Sequence, residues 1–134
     1  MPPTFAPLAD RIVDALLAAT PSVAAAAGDH RADGRLDDYS ADAIAGRVRM
    51  LRGASDALAA ADIDAMDPGE QVDHAILSAH VDRDLFELTE VREHEWNPLV
   101  HNPGALLHAL LDRPGTPAEQ RLVHLAARLS AVPT

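Results

Sequence analysis

The stretch from Asp67 to Pro103 constrains this chain most, because its first thirty residues read only as a long helix. Asp67 can cap that helix, Pro68 fits the first helical position, and Glu70 stands three residues after the cap, the pattern of a capping box. Apolar residues then recur at spacings of three and four in two neighbouring rows. Val72, Ile76 and Ala79 form one row; Leu77, Val81, Leu85, Leu88 and Val91 form the other. Together they make a wide apolar face, as on the central helix of a bundle. Trp96-Asn97-Pro98 supplies the stop, because the residue before a proline is pushed out of the helical conformation. From Pro68 to Glu95 the helix rises roughly 40 Å at about 1.5 Å per residue.

The rest of the chain breaks into shorter helical runs around that one. Leu8, Ile12, Ala15, Leu16 and Ala19 share a face between Phe5 and Ala19. Thr20-Pro21 opens a short helix that Gly28 ends. Residues 28–39, GDHRADGRLDDY, read as a solvated polar loop, since Asp29, Asp33, Asp37 and Asp38 lack the alternating oxygen ligands and closing Glu of a calcium loop. Ser40 caps a helix buried along Ile44, Val48, Leu51, Ser55 and Leu58. Asn102-Pro103 opens a short helix whose Leu106, Leu107, Leu110 and Leu111 cover nearly every side. Thr116-Pro117-Ala118-Glu119 starts a last helix with Leu122, Leu125, Ala126 and Leu129 as its apolar stripe. No run alternates as a half-buried strand would. The expected fold is all-α: a five- or six-helix antiparallel bundle with one long central helix, forming a single domain over residues 1–134.

Charge and composition exclude several functions. The net charge is -10, with 11 basic residues against 21 acidic ones, which opposes binding to phosphate backbones and to anionic membrane surfaces. The chain has no Cys, so disulfides, thiolate catalysis and Cys-based zinc sites are excluded. Aromatic residues make up 3%, so the core must be Leu, Ile, Val and Ala and offers no aromatic ligand cage. The N-terminal run lacks a positive region, and Asp10 and Asp14 interrupt it. It reads as neither signal peptide nor membrane span, and the chain reads as cytoplasmic.

Candidate chemistry lies on the central helix. His80, Asp84, Glu87 and His94 share one row, and Glu90 with His94 makes a second pair. Imidazole and carboxylate on one face can bind a divalent metal. A di-metal bundle, however, needs Glu-x-x-His on two helices and a further Glu from two others. No Glu-x-x-His occurs, and His94-Glu95 is followed by no second His, so the zinc-peptidase helix signature is absent. The row reads as a solvated acidic face with Arg83 pairing to Glu87. No Gly-x-Ser-x-Gly and no Gly-rich phosphate loop is present. The residues alone therefore assign no catalytic group, no metal ligand and no cofactor. Trp96 and Asn97 stand apart: the indole packing into the core and the amide shaping the turn is one reading, and both lining a cleft is the other.

The order of three segments resembles the N-terminal part of a bacterial family, domain of unknown function 885 (DUF885). These are GDHRADGRLDDYSADAIAGRVRMLR, a long helix ending HEWNPL, and a helix ending AARLSAVP. The resemblance runs from about Thr20 to Pro133 and is sharpest at Gly28-Asp29-His30 with Asp33-Gly34-Arg35-Leu36, at Asn97-Pro98, and at Ala127-Arg128-Leu129. It implies a helical relative of zinc metallopeptidases. The family's His-Glu-led zinc motif lies in a C-terminal half that has no counterpart here, so no catalytic residue is carried over. The expected role is a non-catalytic helical segment of a metallopeptidase-like protein, meeting peptide substrate only when joined to a catalytic part. The alternative is a free-standing interaction module. A homodimer or a separate catalytic part is the expected partner, with Leu106, Leu107, Leu110 and Leu111 near the contact, and neither nucleic acid nor membrane is expected.

Overall fold

The computed structural model describes residues 4–132. The helices are α1 (Phe5–Ala19), α2 (Pro21–Ala26), α3 (Ala41–Ala59), α4 (Pro68–Phe86), α5 (Glu93–Trp96), α6 (Gly104–Leu111) and α7 (Ala118–Ser130). No strand occurs among the described residues, so the fold is all-α. The chain divides into two compact units: residues 4–16 with 39–97, and residues 17–38 with 98–132.

The first unit is built on α3 and α4. Ser40 caps α3, its hydroxyl accepting from the Ala43 amide at 3.3 Å. Asp67 and Glu70 close the capping box on α4: the Glu70 amide donates to Asp67 at 2.9 Å, and the Asp67 amide donates to Glu70 at 3.1 Å. Two cross-links fix the direction of the pair. His74 Nε2 donates to the Leu58 carbonyl at 2.9 Å, and the Ser55 hydroxyl donates to Asp82 at 3.4 Å. Higher numbers on α4 meet lower numbers on α3, so the two helices run antiparallel, as their short connection favours. The core is Phe5, Leu8 and Ile12 of α1, Leu51, Ala54 and Leu58 of α3, then Met66, Val81 and Leu88. The His74 and Phe5 rings meet edge-on, with centroids 5.7 Å apart.

Two expectations for the central helix are corrected. Only its second apolar row, Leu77, Val81, Leu85 and Leu88, reaches the core, whereas Val72 and Ile76 are exposed. Nor does an unbroken α-helix reach Glu95. Beyond Phe86 the chain takes a π turn over Glu87–Val91, in which the Arg92 amide reaches back five residues to Glu87 at 2.8 Å. The Thr89 hydroxyl donates to the Leu85 carbonyl at 2.8 Å, a local bond that competes for a helical acceptor and bends helices. Arg92 is then left-handed at φ 53, which separates α5 from α4. The stop at Asn97 stands where proline requires it, with Asn97 extended.

In the second unit, Gly28 at φ 80 ends α2 in a conformation that favours glycine, with the Asp29 amide returning to Ala24 at 2.8 Å. Arg128 of α7 donates to the Leu106 carbonyl of α6, and Arg121 to that of Leu111. This crossing order makes α6 and α7 antiparallel. Leu110 is fully buried, Leu106 and Leu107 are half-buried, and Leu111 is exposed. Of the four leucines expected near a partner contact, Leu110 is held inside its own unit and is not available to a partner.

Packing of the first unit can be checked by chemical denaturation. Leu51→Ala, in the core, should cost about 3 kcal/mol through lost burial and a residual cavity. Ile76→Ala, on the exposed row, should change stability by no more than about 0.5 kcal/mol.

Candidate functional site

The densest polar arrangement lies in the second unit, where the sequence suggested a solvated loop. Residues 28–38 are instead folded against the unit. A 3-10 turn over His30–Ala32 is capped by Asp29, which accepts from the Arg31 amide at 2.9 Å. Asp37 holds α2 through the Ser22 amide at 2.8 Å and the Ser22 hydroxyl at 2.5 Å. Arg35 donates to the Ala18 carbonyl at 3.2 Å. Gly34 lies close to α7: a Cβ there would stand 3.4 Å from His124 Nδ1 and 3.7 Å from the Ala127 methyl.

At the centre of this loop Asp33 is 3% exposed. One carboxylate oxygen accepts from Arg113 Nη1, and the other lies 3.0 Å from His30 Nδ1. The same imidazole nitrogen is 2.9 Å from Arg113 Nη1, so a single ring atom faces both a donor and an acceptor and serves one at a time. Burial by itself would raise the Asp33 carboxyl. The Arg113 and His30 hydrogen bonds, with their charges, outweigh it and hold the group below the ordinary carboxylate range.

Arg128 of α7 is the largest fully buried side chain among the described residues, at 1% exposure. Its Nε donates to the Arg35 carbonyl at 3.0 Å and its Nη1 to the Leu106 carbonyl at 2.6 Å, while Nη2 lies 3.5 Å from the Ala32 carbonyl. Burial lowers its pKa, and Asp33 and Asp37 oppose that shift. An open depression of about 310 Å3 borders this network, lined by His30, Asp33, Thr116, Gln120 and His124 among others. Of the residues lining it, Asp33 carries the one carboxylate, and that carboxylate is already bonded to Arg113.

Burying Arg128 turns the expected stripe of α7 outward. Leu122, Val123 and Leu129 are 59%, 67% and 53% exposed, while Arg121, His124 and Leu125 are half-buried beside Arg128. Of the expected stripe only Leu125 is partly covered, whereas Leu122, Ala126 and Leu129 are exposed, and this expectation is corrected.

The remaining candidates lie in the first unit. His80 Nε2 is 3.3 Å from Asp84, which also takes Arg83 at 2.8 Å, so Arg83 pairs with Asp84 rather than Glu87. His94 is 3.8 Å from Glu95. Among the described residues no three His, Asp or Glu side chains are grouped so as to hold a metal ion. Trp96 is 65% exposed, not packed in the core, and its indole N–H donates to the Val91 carbonyl at 3.0 Å. The Asn97 amide donates to Glu93 at 2.6 Å, tying the turn to the start of α5. Among the described residues no helix is long and apolar enough to cross a membrane.

Sequence reasoning missed Asp33, Arg113 and Arg128 as a network. A signal was present: two of the three sharpest segments of the family resemblance, residues 28–36 and 127–129, are the ones that meet here.

Residues 21–134 match the family described as bacterial protein of unknown function, DUF885. No curated protein matches the chain. A solved structure, described as a candidate lipoprotein of unknown function from Shewanella oneidensis, superposes with a TM-score of 0.88 at 18% identity. The match covers 95% of this chain and 23% of that one, so the present chain spans about a quarter of that relative. At that identity the likeness shows the fold.

The ion network can be tested through pH. The Asp33 carboxyl binds its proton less readily in the folded chain than in the unfolded one, where its pKa is about 3.9. Its contribution is therefore complete above that value and is lost as pH falls through the folded pKa. Asp33→Asn should cost about 3 kcal/mol at neutral pH by stranding Arg113, and should flatten the fall in stability below about pH 4 seen by denaturation across pH.

Proposed function

Because the chain belongs to the bacterial DUF885 family, we propose that it is a non-catalytic helical segment of a larger, metallopeptidase-like protein. In this role it helps to wall a substrate cleft and leaves the chemistry to other parts of that protein. Peptide substrate would meet it only in that larger context. The observation that carries this reading is proportion. Nearly all of the chain, 95%, superposes on a region that is 23% of a longer relative. The polar groups inside the chain support it: Asp33, Arg113, Arg128, Asp84 and Arg83 are bonded to one another or to backbone carbonyls. Two of the 11 arginines, Arg113 and Arg128, lie inside the second unit, which further weakens any case for a nucleic-acid partner. The same reading sets the protein in the cytoplasm, which cell fractionation would check.

A second reading, a free-standing interaction module, is favoured by the exposed Val72 and Ile76 on α4 and the exposed Trp96. The reading frame around these 134 codons separates the two. A frame continuing into further helical sequence supports the segment, and one confined to these codons supports the module.

The expected outcome of a peptidase assay on this chain with added zinc or cobalt is turnover indistinguishable from buffer. Metal-dependent cleavage that co-purifies with the chain through successive columns would overturn the non-catalytic reading.

A further inference from the structure

The strongest feature that the reading above leaves unused is the outer face of α7. At 100° per residue, Leu122, Leu125, Ala126 and Leu129 fall within an arc of about 100°. Arg121, His124 and Arg128 occupy the neighbouring arc, which is turned into the unit. Every exposed residue from Leu122 to Ala131 is uncharged, in a chain whose net charge is -10. An amphipathic helix that buries its polar arc and shows its apolar one is incomplete, because the ordinary arrangement is the reverse.

We propose that this face of α7 seats a helix from a part of a longer DUF885 protein that lies outside the region matched here. The proposal rests on the reading of the chain as a segment of a larger protein. Three observations choose that occupant. The first is area. α7 has 13 residues, so it is about 20 Å long and about 10 Å wide, and one face of it offers on the order of a few hundred Å2. A standard complex between separate molecules buries about 800 Å2 on each partner. A second copy meeting this face alone would fall short of that. A helix of the same polypeptide would not need as much, because a tether supplies an effective concentration in about the millimolar range. The second observation is length: 77% of the Shewanella relative, the complement of the matched 23%, lies outside the match and could supply the covering helix. The third is charge. Closing an uncharged face strips no ion of its water, so an apolar helix can be seated there without the desolvation cost that buried charges carry. The occupant is therefore a helix with an apolar, uncharged stripe of similar length, and the small Ala126, midway along α7 between Leu122 and Leu129, permits close approach of its backbone.

The test compares the 134-residue chain with its Leu122→Glu/Leu129→Glu double variant by light scattering, circular dichroism and binding of an apolar-surface dye. Both should be monomeric and equally helical, and the variant should lose at least about threefold in dye binding, as expected when an exposed apolar patch is removed. Independently of whether the variant folds, superposition on the Shewanella structure should show a helix from outside the matched region lying on the face equivalent to that of α7. A dimer that the double variant dissolves would make a second copy the occupant and overturn the proposal. Equal dye binding by the two proteins would overturn it as well. So would a bare equivalent face in the relative, and if the reading frame is nevertheless long, the failure is confined to this face and the segment reading stands.

Discussion

The second unit depends on one buried guanidinium. Arg128 donates to the carbonyls of Arg35 and Leu106, which belong to stretches about ninety and about twenty residues away in the chain. Removing a cation from water is costly unless its donors are satisfied, so this arrangement holds only where those carbonyls converge. Asp33 answers the charge from the same loop, and Arg113 answers Asp33. The polar network thus does in this unit what a leucine core does in the other. It joins α6, α7 and residues 28–38 by directional bonds, whereas α1, α3 and α4 are joined by non-directional burial.

That choice has a consequence for the surface. A helix of 13 residues cannot present two faces to one neighbour, so turning Arg128 inward turns Leu122 and Leu129 outward. Within its own unit α7 gains hydrogen bonds and gives up apolar burial. Such an exchange is stable in a larger protein where something else covers the leucines, and it accords with a chain that matches a quarter of a longer relative. The first unit shows a milder form of the same condition, with one row of α4 in its core and Val72 and Ile76 outside it.

The end of the central helix is the other place where the backbone departs from regularity. The π turn, the Thr89 hydroxyl on the Leu85 carbonyl and the left-handed Arg92 follow one another within eight residues. Together they break the rise of the helix and bring Trp96 to the surface, with its N–H bonded back to Val91. A left-handed residue other than glycine costs roughly 1 to 2 kcal/mol, so neighbouring bonds must hold it. Arg92 has one in its guanidinium contact with Glu95, whose amide also donates to the Arg92 carbonyl at 2.9 Å.

Sequence alone determined the elements whose causes are local. The capping box at Asp67 and Glu70, the Ser40 cap, the glycine ending α2 and the proline stop after Asn97 all act within a few residues, and each stands where the sequence placed it. The spacing of Leu51 and Leu58, and of Val81 and Leu88, likewise marked residues that lie in the core. Tertiary structure decided which face of α7 is inside and that Ala32 and Asp33 of the 28–38 loop are buried. It also decided that Asp33, Arg113 and Arg128 belong together. A periodic pattern shows that a helix has an apolar side but not that a partner is present to cover it. Bonds spanning eighty or more residues have no local pattern at all, because a guanidinium finds its carboxylate or carbonyl only after the chain between them has folded.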